Sequence, residues 1–145
     1  MAETGFDRSF TRAGFVLILL ALVTGLAVPA FLNTRMALAA HLGGIMNGLL
    51  LVAIGATWSR LALSQGQARI TRVAAFGAAY VNWGTACLAA AWGTSRLTPL
   101  SGAGHSAAAW QESVVQALQV SVAVAIIGAV AMIVYGLRPR PEAGS

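Results

Sequence analysis

MALAAHLGGIMNGLLLVAIGATWS, residues 36–59, carries no formal charge and is apolar nearly throughout. A helix that crosses a bilayer needs roughly 20 such residues. Three further charge-free stretches have similar length, at 13–34, 73–95 and 113–137. A bilayer interior cannot satisfy open backbone N–H and C=O groups, so each stretch reads as a helix and not as a strand. Four spans, at approximately 10–30, 36–60, 72–95 and 112–137, use most of the 145 residues. The expected fold is all-α, a single integral membrane four-helix bundle with no separate soluble domain. Composition agrees: mean hydropathy is +0.77 and only 9% of residues are charged, against about 25% in a soluble domain.

The net charge is +5, and all nine basic residues are arginines. They are spread over loops and ends instead of lining one face, which argues against nucleic acid as a partner. Arg8 and Arg12 precede span one, Arg60, Arg69 and Arg72 follow span two, and Arg138 and Arg140 follow span four. The other two loops hold only Arg35 and Arg96. The positive-inside rule then places both termini in the cytoplasm, in a bacterial-type inner membrane. The segment LSQGQA at 63–68 reads as a cytoplasmic turn, 96–111 as an ordered external loop, and 138–145 as a frayed tail. A lone cysteine, Cys87, excludes an internal disulfide and reads as a packing residue.

One residue inside the opening stretch stands out. An imidazole is costly in hydrocarbon, so His41 marks a functional site. At about 1.5 Å per residue, His41 lies about 8 Å inside span two and Asn47 about 17 Å inside. Asn82, entering from the same surface in span three, reaches about 20 Å. A pocket open to the outer leaflet would contain all three. Asn47 is rotated about 120° from His41 on an ideal helix, with Gly44 between them. Gly44 and Gly48 have two readings: a small-xxx-small seam for close helix packing, or room for a flat cofactor beside His41. The asparagines have two as well, as interhelical hydrogen bonders or as site groups. Tyr80, Trp83, Trp92 and Tyr135 read as packing or interfacial anchors. Gln119 shares the depth of His41 and is a candidate to orient its ring.

The inventory limits the chemistry. It holds no Ser/His/Asp set or carboxylate pair within the spans, and too few ligands for zinc. The acids Glu3, Asp7, Glu112 and Glu142 lie outside the spans or at an end, which disfavours proton-coupled transport. An electron-transfer cytochrome usually has two axial ligands, and one histidine suits a five-coordinate haem with an open face instead.

Three segments then carry a resemblance: NTRMALAAHLGGIMNG at 33–48, AYVNWGT at 79–85 and WGTSRLTPLSGAG at 92–104. Together they resemble the hydroxylaminobenzene mutase family, over nearly the whole chain. The related membrane styrene oxide isomerases share the histidine and the two asparagines. The resemblance implies a trimeric membrane isomerase that uses ferric haem b as a Lewis acid. It implies that His41 is the axial ligand and metal-binding residue, with Gly44 and Gly48 beside the cofactor. Asn47 and Asn82 would be catalytic and face the substrate oxygen. Arg35 and Arg96 are the arginines available to the propionates. The isomerases have a tyrosine one turn after the second asparagine, where this chain has Ala86. That departure favours the mutase reaction, conversion of a small aromatic hydroxylamine to a 2-aminophenol. Two alternatives stand: an epoxide-to-aldehyde rearrangement, or a non-enzymatic haem-binding membrane protein. A cofactor-free scaffold is the remaining structural reading.

Overall fold

The computed structural model describes residues 7–138 and is all-helical among them. The expectations for Glu3, Arg140, Glu142 and the tail from 139 onward lie outside the described residues. Helix α1 is Arg8–Ala27, continued by a tight 3-10 turn at Val28–Ala30, where Pro29 ends it. Helix α2 is Thr34–Thr57, α3 Gln65–Trp92, α4 the short Pro99–Gly102, and α5 Ala109–Gly136. Four of these helices are long and apolar enough to cross a membrane. Each shows large apolar side chains on its outer surface, such as Leu26, Met46, Ile70 and Val124. A helix that is apolar all round belongs in a nonpolar surrounding, so the exposed side chains read as lipid-facing.

Helix α3 begins at Gln65, well ahead of the expected boundary at 72. The segment read as a turn is instead a capping box. The Ser64 hydroxyl accepts from Gln67 N–H, and the Gln67 side chain accepts from Ser64 N–H. Two orphan donors are satisfied reciprocally, so the helix starts there.

The long helices alternate in direction. Helix α1 packs on α2, α2 on α3, and α5 principally on α3. The α1–α2 contact is closest where two glycines meet. A Cβ on Gly48 would lie 2.6 Å from the Gly14 carbonyl oxygen and 2.5 Å from Ile18. A Cβ on Gly14 would meet the Gly48 carbonyl oxygen at 2.6 Å. Small residues on both sides let the backbones approach, which is the main source of association between helices in lipid. Aromatic side chains reach across from α3 to α1. Tyr80 donates to the Ala13 carbonyl at 2.8 Å, and Trp83 donates its indole N–H to the Thr24 hydroxyl at 3.2 Å. These two residues anchor packing, as the sequence suggests.

At the end carrying the N-terminus of α1, Asp7 caps that helix by accepting from Ser9 and Phe10 N–H. Asp7 also pairs with Arg72 of α3. The Arg72 guanidinium lies over the rings of Phe10 and Trp58, and Phe10 stacks on Phe76 at 4.4 Å. Partial burial pushes the Asp7 carboxyl up, but hydrogen bonds from Arg72, Ser9 and Phe10 outweigh it and hold it at about 2. An aspartate depressed this way contributes stability that is present above its ordinary value of 3.8 and lost as pH falls toward about 2. Acid titration in detergent should therefore release about 1–2 kcal/mol of stability across that window, after discounting for partial exposure of the arginine. Arg72→Met should shrink this acid-dependent component, leaving the part that comes from Ser9 and Phe10, as followed by unfolding midpoints at stepped pH.

Candidate functional site

The opposite end is built around two polar side chains. Asn33 caps α2 by accepting from Met36 N–H at 3.0 Å. Its amide donates to the carbonyls of Ser101 and Gly102, and its own backbone N–H reaches the Ala90 carbonyl. Glu112, in the first turn of α5, is buried. Its carboxylate accepts from the N–H groups of Ser95, Arg96 and Ala107 at 3.0–3.3 Å. One acid thus ties down both flanks of the connection between α3 and α5. Gly93 ends α3 in the left-handed conformation at φ 71°, which glycine adopts without strain. His105 donates Nδ1–H to the Gly102 carbonyl at 3.0 Å. The connection is ordered, as expected, but the part played by Glu112 is not visible from its position alone. Glu112→Gln should weaken this cap by about 1–2 kcal/mol. The gain in protease cleavage between residues 93 and 108 would measure it.

His41 lies about two turns inside α2 and is half-buried. Its Nδ1 is 2.7 Å from the Ala21 carbonyl oxygen of α1. A carbonyl only accepts, so Nδ1 carries the proton and donates it. In the neutral ring Nε2 then holds the lone pair. The ring atoms nearest Gly25 are Nδ1, Cε1 and Cγ, so Nε2 lies on the far edge. A backbone carbonyl that fixes one ring nitrogen while the other is free is the arrangement metal-ligating histidines adopt. The donor chemistry therefore fits a metal centre bound through Nε2. The partner that orients the ring is Ala21, not Gln119. Gln119 lines a narrow crevice with Met36, Ala86, Thr94 and Glu112.

Gly44 and Gly48 do not leave space beside the imidazole within this chain. A Cβ on Gly44 would fall 2.6 Å from Ala21 Cβ and 2.7 Å from the Trp83 indole. Gly48 faces Gly14 and Ile18. Both are seam glycines, and the cofactor-room reading gives way to close packing because α1 fills that side. Within one chain His41 and Asn47 turn to different helices. Asn47 donates to the Ala79 carbonyl of α3 at 3.4 Å, a long bond, whereas His41 turns to α1. Their rotation around α2 sends them to different neighbours. Asn82 is half-buried in α3, beyond the buried alanines Ala75, Ala78 and Ala79. Arg35 donates to the Leu100 carbonyl at 3.2 Å, and Arg96 is exposed at the same end. Both arginines thus lie at the end of the molecule nearer His41.

The styrene oxide isomerase family profile matches residues 6–138, and the chain belongs to that family. Two curated relatives come from Ectopseudomonas oleovorans. Hydroxylaminobenzene mutase HabB is 36% identical over 139 residues, covering 92% of this chain and 82% of that protein. Hydroxylaminobenzene mutase HabA is 37% identical over 126 residues, covering 86% of this chain and 93% of that protein. No solved structure matches the chain. The protein is a multi-pass membrane enzyme of the isomerase class, of the mutase type.

Proposed function

We propose that this chain rearranges hydroxylaminobenzene-type aryl hydroxylamines to 2-aminophenols. One observation carries the substrate class: both curated relatives, matched over most of the chain, are named as hydroxylaminobenzene mutases. In the reaction the N–O bond breaks and the hydroxyl joins the ortho carbon. The ortho carbon loses its proton and the nitrogen gains one, so substrate and product are isomers and no electron donor is needed.

Nε2 of His41 would hold a ferric haem b, which when bound would supply Lewis-acid chemistry at the substrate oxygen. The Ala21 carbonyl keeps Nδ1 protonated and Nε2 directed outward. The amides of Asn47 and Asn82 hold the oxygen and stabilise the charge it develops. The long bond from Asn47 to Ala79 is easily exchanged for one to substrate. Arg35 and Arg96 lie near the end where propionates would emerge. His41 is half-buried on a lateral face flanked by exposed Leu38 and Leu42. A single chain cannot enclose a flat cofactor there, which supports a homo-oligomer, a trimer by family resemblance. The charge distribution supports both termini in the cytoplasm and an inner-membrane location.

The family profile's description supports a second reading, an epoxide rearrangement of the styrene oxide type. Purified protein in lipid nanodiscs, offered hydroxylaminobenzene and styrene oxide under non-reducing conditions, distinguishes them. We expect 2-aminophenol as the main product and slower epoxide turnover. Equal or faster conversion of the epoxide overturns the mutase assignment, and absence of a Soret band overturns the haem assignment.

A further inference from the structure

The Cβ of a helical residue tilts toward the helix N-terminus, over the carbonyl one turn earlier. In α1 the residue that would cover the Ala21 carbonyl is Gly25. Its missing side chain leaves a notch, and the notch is filled by an imidazole. A Cβ built at position 25 would lie 2.6 Å from His41 Nδ1, 2.8 Å from Cε1 and 3.2 Å from Cγ. All three of the nearest atoms belong to His41. The other α1 glycine facing α2 differs in kind. Gly14 is crowded by the Gly48 carbonyl and by Val52, so it serves the approach of two backbones.

We propose that Gly25 is a positioning residue for His41. It exposes the second lone pair of the Ala21 carbonyl, and so sets the Nδ1–H tautomer that leaves Nε2 as the ligating nitrogen. Neighbouring contacts fix the rotation of α1 that makes this possible. Ala21 is seated against Gly44, and Thr24 receives the Trp83 indole N–H while donating to the Leu20 carbonyl at 2.9 Å. The role toward haem rests on the functional reading above, whereas the tautomer can be measured without the cofactor.

The test uses the full chain in nanodiscs, haem-free and then titrated with haemin. Spectra of isotope-labelled histidine nitrogens, recorded above the usual imidazole titration range, report the tautomer, with His41→Ala assigning the signal. We expect Nδ1–H in the wild type and a shift toward Nε2–H or a mixture in Gly25→Ala. Haemin affinity, followed by the Soret band, should fall about 10–100-fold in Gly25→Ala, the usual cost of losing an outer-shell partner. Gly43→Ala, where an added Cβ meets nothing within 4 Å, should match the wild type in both. Wild-type His41 in the Nε2–H form overturns the proposal, even if Gly25→Ala does not fold. So does a folded Gly25→Ala with unchanged tautomer and haemin affinity. A wild type that binds no haemin, but whose Nδ1–H form is lost in Gly25→Ala, removes the haem reading and leaves the Gly25 assignment standing.

Discussion

Replacing His41 with alanine should abolish haem uptake and reduce mutase turnover by more than about 100-fold. That figure is the upper end of what losing an outer-shell partner costs a metal site, and here the proposed ligand itself is lost. His41 is the only histidine within the long helices, since His105 lies in the connection before α5 and spends its Nδ1–H on the Gly102 carbonyl. No second imidazole therefore stands ready in the spans to take over. Folding should change little. The deletion removes one hydrogen bond to Ala21, a net contribution of about 1 kcal/mol. The measurements are the Soret absorbance per chain and the rate of 2-aminophenol formation. A variant that keeps full haem content would remove His41 from the ligand role.

Gly48→Leu should cost a large part of the stability of the α1–α2 seam, about 3 kcal/mol or more. A Cβ at this position already collides with the Gly14 carbonyl, which belongs to the backbone and cannot turn aside. The remaining leucine atoms would drive α1 off α2 around Leu17, Leu51 and Ile54, all of which are buried. Because Ala21 lies farther along the same face of α1, the His41 seat should be lost with it. Thermal unfolding in detergent checks the stability effect, and the His41 tautomer checks the local one. Gly77→Leu is the natural comparison, since its Cβ would meet open space. It should unfold near the wild-type temperature.

The four long helices were legible because charge is absent over more than a span's length in four places. Their packing was only half legible. The G-x-x-x-G spacing at Gly44 and Gly48 fits both tight packing and an open cofactor bed, and the deciding fact is which partner sits opposite. Gly14, Ile18, Ala21 and Trp83 are there, and spacing within α2 cannot reveal them. The start of α3 was obscured by Gly66 and two glutamines, which read as a turn by composition. The reciprocal bonds of Ser64 and Gln67 override that local preference. At the site, His41 announced itself as a costly polar group in an apolar run. Its partner could not be found that way, because a backbone carbonyl has no letter in the sequence. Only the glycine that uncovers it, Gly25, leaves a trace, and a single glycine in an apolar helix carries little signal by itself. Depth arithmetic brought His41, Asn47 and Asn82 to neighbouring levels, but level is not direction.

The order of helix packing has a consequence for how the protein is made. Each long helix after the first docks on the long helix synthesised just before it: α2 on α1, α3 on α2, and α5 on α3. A nascent chain released into the bilayer one hairpin at a time meets its partner on arrival, and no helix waits for the chain to finish. Contacts between sequence neighbours also keep the entropy of loop closure small. The His41–Ala21 bond joins the first two helices. The histidine can therefore be oriented before the ribosome has finished α5.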